Sequence, residues 1–197
     1  MTYFRLALLA MTIFLTIIIA GCTKKEPEQV KQNLPEPMRP LVGAESANSV
    51  AGIRWTKPVR WEQQGERAMR VTTYSVPAAK EDKEGGECAV FYFGSGQGGN
   101  VDDNINRWIS QFEAGGKHSR SSKEINSLKV TLVQISGAYL SPSGPMMESM
   151  GKKENYKLLG AIIEAPEGSV FFKFTGPEKT IASAEKEFDG LLNSIAK

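Results

Sequence analysis

One histidine, His118, and two cysteines, Cys22 and Cys88, are all that this 197-residue chain holds of the side chains most used in metal binding and nucleophilic catalysis. There is no Cys and His pair, no second cluster of metal ligands and no Gly-x-Ser-x-Gly elbow. Asp102 and Asp103 form a carboxylate pair, but neighbours in sequence point different ways on a helix and cannot divide acid and base roles at one bond. The expectation is a protein that is not an enzyme and carries no cofactor. Charge of one sign is also lacking. Lys and Arg number 24 against 22 Asp and Glu, a net of +2, and no basic run is long enough to follow a phosphate backbone. Nucleic acid is therefore not an expected partner. With 41% hydrophobic and 23% charged residues, the composition supports a core and is far from that of a disordered chain.

Long hydrophobic runs are scarce as well. The single candidate, Leu6 to Ala20 after Arg5, is too short for a comfortable membrane span but fits the apolar region of a secretory signal. It ends in Ile19-Ala20-Gly21-Cys22, which resembles the lipobox of bacterial lipoproteins, with Ile in place of the usual Leu. The resemblance implies cleavage after Gly21 and acylation of Cys22, which then holds the protein to a membrane. Thr23 stands where Asp would signal inner-membrane retention, so in a Gram-negative cell the implied location is the outer membrane, facing the periplasm. Residues 1–21 are then the signal peptide. Residues 22–49 carry Pro27, Pro35, Pro37 and Pro40 among polar residues and read as an extended tether. Residues 50–197 are one domain's worth of chain. Lipidation leaves Cys88 without a disulfide partner, and its place at the start of an apolar strand predicts a buried, inert thiol.

Within the domain the organising stretch is Cys88 to Phe93, Gly94 to Gly99, then Asn100 to Phe112. It reads as a central strand apolar on both faces, a glycine loop, and a helix capped by Asn100, with Asp103 reaching back to it. Val101, Ile105, Trp108, Ile109 and Phe112 recur at helical spacing, which predicts Trp108 buried against the sheet. Extended segments at Ile53 to Trp55 and Val59 to Trp61 flank Lys57-Pro58. Arg67 to Val76 alternates as a strand. Ser119 to Ile125 and Leu128 to Ile135 form a pair turned at Asn126-Ser127. Tyr156 to Glu164 and Ser169 to Thr175 form a hairpin turned at Pro166-Glu167-Gly168. A last helix begins near Gly176-Pro177, with Ile181, Ala184, Phe188, Leu191 and Ile195 on one stripe. The fold class is α+β, a mainly antiparallel sheet covered on both faces by helices.

The order of these elements, with Phe172-Lys173-Phe174-Thr175-Gly176-Pro177 leading into a helix that holds Phe188 and Leu191-Leu192, resembles the PsbP-like group of α/β/α sandwiches. The glycine loop followed by Asn104, Arg107-Trp108 and Gln111-Phe112 resembles uncharacterised bacterial exported proteins more particularly. The likeness covers roughly the last three quarters of the chain. It implies a protein that binds or stabilises partners rather than one that catalyses, although fold by itself does not fix function.

Three features carry candidate sites. Gly94-x-Gly96-x-x-Gly99 matches a dinucleotide fingerprint in form, but the next strand is not a parallel partner and no acidic residue closes it, so the glycines read as a tight turn. Asn104, Arg107 and Gln111 form a polar stripe beside the Trp108 face and are the candidate partner-binding surface. Met146, Met147 and Met150 lie in a loop at 141–150, where thioethers could hold Cu(I) or cover a sheet edge. His118 reads as an exposed loop residue. The sequence thus predicts a membrane-anchored binding or assembly module of the cell envelope with a protein partner, or alternatively a small-ligand or copper carrier that uses the methionine loop.

Overall fold

The computed structural model describes residues 48–140 and 151–197. Cys22 and the loop with Met146, Met147 and Met150 lie outside the described residues. No described helix is long and apolar enough to cross a membrane.

A small hairpin comes first, β1 (Ser49–Val50) and β2 (Ile53–Arg54), turned through Ala51 and Gly52, both at positive φ. It is followed by β3 (Glu62–Gln63), β4 (Thr72–Val76), β5 (Gly86–Tyr92), α1 (Val101–Ile109), β6 (Lys117–Ile125), β7 (Leu128–Leu140), β8 (Lys152–Ala165), β9 (Gly168–Pro177) and α2 (Glu178–Asn193). β3 to β9 make one seven-stranded sheet in the order β3-β4-β5-β9-β8-β7-β6, antiparallel at every pairing. The last strand is thus inserted between β5 and β8, near the middle of the sheet.

Turn chemistry sets the registers. Asn126 and Ser127 both take positive φ, the geometry that matches a two-residue turn to strand twist, and Ile125 pairs with Leu128 across them. At the other hairpin Ala165 pairs with Gly168 around Pro166-Glu167. Alternation then sends Cys88, Val90, Leu159, Ala161, Ile163, Val170, Phe172 and Phe174 to one face, where α2 contributes Ile181, Ala184, Phe188, Leu191 and Leu192. Trp55 and Trp61 join this core, Trp55 edge-on to Phe172 and Trp61 against Phe174. Asp82, from the charged loop before β5, accepts from the backbone N and the hydroxyl of Thr180 at 2.7 and 2.6 Å and so caps α2 from a distant part of the chain.

The opposite face is only partly covered. α1 places Ile105 and Trp108 over Val133, Ile135, Leu158, Ile162 and Phe171, and this second core ends there. Two-sided helical cover is therefore a correction: α1 has nine residues and spans about one end of the sheet, leaving β4, β5 and parts of β8 and β9 without a helix on that side. Phe91 and Tyr92, read as buried, are only half-buried, and Phe93 is exposed.

Local differences have local causes. α1 stops at Ile109, because Phe112 turns to extended backbone and bridges Tyr139; Phe112 is buried by that route rather than from the helix stripe. Ile195 likewise is buried just beyond the end of α2. Arg67 to Val71 is not strand, since Met69 takes positive φ and Arg70 N closes a turn onto Arg67 O. His118 lies in β6 and not in a loop; β6 is the outer strand of the sheet and is exposed along almost its whole length.

Candidate functional site

Among the described residues, charged and aromatic side chains converge where α1 leaves the sheet uncovered. On β9 the side chains facing α1 are Phe171, Lys173 and Thr175, and Lys173 interrupts an otherwise apolar strand. Its register partners are Ala89 on β5 and Gly160 on β8. Ala89 leaves room above the sheet on the β5 side, while the space over Gly160 on the β8 side is filled by Trp108. The result is a cleft of about 370 Å³, lined by Arg70, Glu87, Phe91, Tyr139, Tyr156 and Lys173 among others.

The polar groups are arranged in pairs, with one exception. Arg67 and Arg70 both hold Glu87, at 2.6 and 2.7 Å, and Arg70 lies over the Phe91 ring. Lys153 pairs with Glu84 at 2.8 Å, and the Tyr156 hydroxyl donates to the other Glu84 oxygen at 2.5 Å. These bonds to Lys153 and Tyr156 pull the Glu84 carboxyl below its usual range, and the bond to Glu84 raises Lys153. Among the residues that line the cleft, three cations, Arg70, Lys153 and Lys173, face two carboxylates, Glu84 and Glu87, and the one without a carboxylate partner is Lys173. Its ammonium donates to Gln111 Oε1 at 2.6 Å and to the Tyr139 hydroxyl at 3.2 Å, both neutral groups. Lys173 keeps some accessible surface as a residue, yet its surroundings are dense enough that desolvation, followed by repulsion from Arg70, brings its pKa down to about 8 against a pull upward from Glu87. Desolvation, with Glu87 and Tyr156 adding to it, pushes Tyr139 up to about 12, so its phenol stays protonated and stacks on Tyr156 with ring centroids 5.6 Å apart.

The residues expected to form a partner surface do other work. Asn104 is buried, not solvated: its amide donates to Gly98 O at 2.7 Å and to Asn100 O at 2.9 Å, clamping the glycine loop to the first turn of α1. Gln111 is half-buried and belongs to the cleft through Lys173. Only Arg107 is exposed as expected. The polar stripe is thus a correction, made by the loop, which needs a buried amide to satisfy its carbonyls. The glycine loop itself is a turn: Gly94, Gly96, Gly98 and Gly99 all have positive φ, and a Cβ at Gly98 would lie 2.9 Å from Phe93 and 3.1 Å from Phe171. Asn100 caps α1 by accepting from Asp103 N at 2.8 Å, and Asp103 answers through the Asn100 side-chain amide at 2.7 Å. Cys88 is fully buried, and desolvation moves its thiol well above the usual range. Among the described residues no group of three His, Cys, Asp or Glu side chains is placed to hold a metal.

Lys173, Tyr139 and Tyr156 escaped the sequence reading. The one available signal was Lys173 itself, a charge between Phe172 and Phe174 in a strand that must lie at the middle of a sheet.

No protein-family model and no curated protein matches the chain. Among solved structures, the chain is similar to the solution structure of cyanobacterial PsbP (CyanoP) from Synechocystis sp. PCC 6803, with 10% identity, 80% of this chain and 99% of that chain covered, and a TM-score of 0.44.

Proposed function

We propose that this protein is a lipid-anchored binding module of the bacterial envelope, tethered through Cys22, whose sheet-dominated α+β domain holds a ligand and performs no reaction. The observation that carries the reading is the cleft: the described residues place one uncompensated ammonium group, Lys173, on the floor of a concavity walled by aromatic rings, on a sheet face that α1 stops short of covering. Binding is favoured over catalysis because the two carboxylates that line the cleft, Glu84 and Glu87, are each tied to cations. The test uses the mature lipidated protein in detergent, challenged with small-molecule and macromolecular fractions of envelope extract while its unfolding midpoint is followed. A fraction that raises the midpoint in the wild type and leaves Lys173→Met unmoved supports the reading. A rise that persists in Lys173→Met puts the binding site elsewhere, and no rise with any fraction removes the binding role.

A further inference from the structure

The ligand class can be read from the charge pattern of the cleft, an inference that rests on the cleft being the binding site. We infer that it takes a small organic acid, with a single carboxylate set on Lys173 and an apolar body against Phe91 and Tyr139.

Four observations converge. First, of the charges that line the cleft Arg70 is engaged by Glu87 and Lys153 by Glu84, so Lys173 is the one lining cation with no carboxylate partner, and its single charge suits a monoanion better than a phosphate dianion. Second, an ammonium has three donors; two go to Gln111 Oε1 and the Tyr139 hydroxyl, leaving one for a carboxylate oxygen. Third, half-buried Phe91 and the remaining edges of Tyr139 and Tyr156 line the cleft beside that donor, the two tyrosines being buried and stacked nearly parallel at 5° and hence rigid. Fourth, about 370 Å³ lies at the small end of the range for ligand sites and is too confined for a folded partner.

The same geometry sets a pH dependence. The titratable and charged groups facing Lys173 are Arg70 from the β3–β4 connection, Glu84 and Glu87 before and on β5, Tyr139 on β7, and Lys153 and Tyr156 on β8. Of these, Lys173 changes charge nearest to neutral pH, so an anion that binds to its ammonium draws a proton onto the protein when added at about pH 8.

The experiment titrates the mature lipidated protein in detergent with benzoate and 3-phenylpropionate, their uncharged amides, inorganic phosphate, and a short acidic peptide. Calorimetry at pH 8 in two buffers of different ionisation heat reports proton uptake. The acids are expected to bind about tenfold or more tighter than the amides, with proton uptake on binding. Lys173→Met is expected to abolish that preference, and Lys173→Arg to restore part of it. The acid-against-amide comparison uses the unaltered protein and so stands even if a variant fails to fold. The inference is overturned if acid and amide bind alike, if neither acid binds, if phosphate equals the aryl acids, or if the acidic peptide binds more tightly than they do. Failure of these probes together with a midpoint rise from an envelope fraction that depends on Lys173 would discard the ligand class and keep the cleft.

Discussion

A Cβ added at Gly160 would stand 2.4 Å from Cζ3 of Trp108, so the indole rests directly on the backbone of β8. Trp108 is the main side chain by which a nine-residue helix grips the sheet, and the contact exists because position 160 has no side chain. Trp108→Ala should cost roughly 3–5 kcal/mol by loss of contacts and the cavity left behind. Gly160→Ala should cost about 1–3 kcal/mol by displacing the ring. In the double variant the two costs should fall well short of adding, since the clash needs both partners. Urea unfolding of the four proteins measures this; strict additivity would mean that the indole does not sit where described.

Asn104 and Arg107 lie three positions apart on α1, yet their replacement should have different effects. Asn104→Ala strands the carbonyl of Gly98, Asn100 O keeping its bond from the Asn104 backbone N, and should lower stability by about 1–3 kcal/mol, while Arg107→Ala, on the exposed side, should shift it by no more than about 0.5 kcal/mol. Equal effects in urea would refute the clamp.

Burial lowers the pKa of Lys173 to about 8, below its unfolded value, so the folded state binds fewer protons between about pH 8 and 10.5 and stability rises across that window. Below pH 8 the ammonium is charged in both states and its burial is a standing cost. Replacing it by the similarly shaped, uncharged Met removes the cost. Lys173→Met should therefore match or exceed the wild type at pH 7, with the difference moving by about 1–3 kcal/mol in favour of the wild type as pH climbs from 8 to 10.5. Tyr139 titrates higher and in both proteins, so it cancels from the difference. A flat difference curve would show that Lys173 is not desolvated.

Cys88 should resist thiol reagents as long as the domain is folded, because the thiol is fully buried and the reactive thiolate is suppressed. Labelling should track global unfolding in urea. Fast labelling in native buffer would place it in a region that opens locally.

Anchoring depends on a residue outside the described ones. Cys22→Ser should abolish acylation and processing after Gly21, and protein whose signal is cleaved elsewhere should leave the membrane fraction. Retention in the membrane with normal processing would remove the lipoprotein proposal.

Much of this fold could be read from local patterns, and what could not depends on distant ones. Asn126-Ser127 and Pro166-Glu167 announce their hairpins because turn chemistry acts within a few residues. The apolar stripe of α2 and the Asn100 cap are equally local. Periodicity overextended α1 to Phe112, since it registers that a residue is buried and not by which backbone route. It also treated Asn104 and Gln111 as surface, because the groups that bury them, the glycine-loop carbonyls and Lys173, come from six and sixty-two positions away. The cleft was hidden for the same reason: it is defined by which strands become neighbours, and only the insertion of β9 beside β5 sets Lys173 next to Ala89.

That insertion also governs the timing of assembly. The β3-β4-β5 group has no neighbour on its inner edge, at β5, until β9 arrives, and Arg54 near the start of the domain is bonded to Ala196 at its end through both backbone groups. A chain emerging from its N-terminus can form the β6–β7 and β8–β9 hairpins early, but the first third of the domain waits for β9, which begins only at Gly168. Until then the inner edge of β5 is unpaired, and because Ala196 closes on Arg54, removal of even a few C-terminal residues should harm the earliest strands as much as the latest.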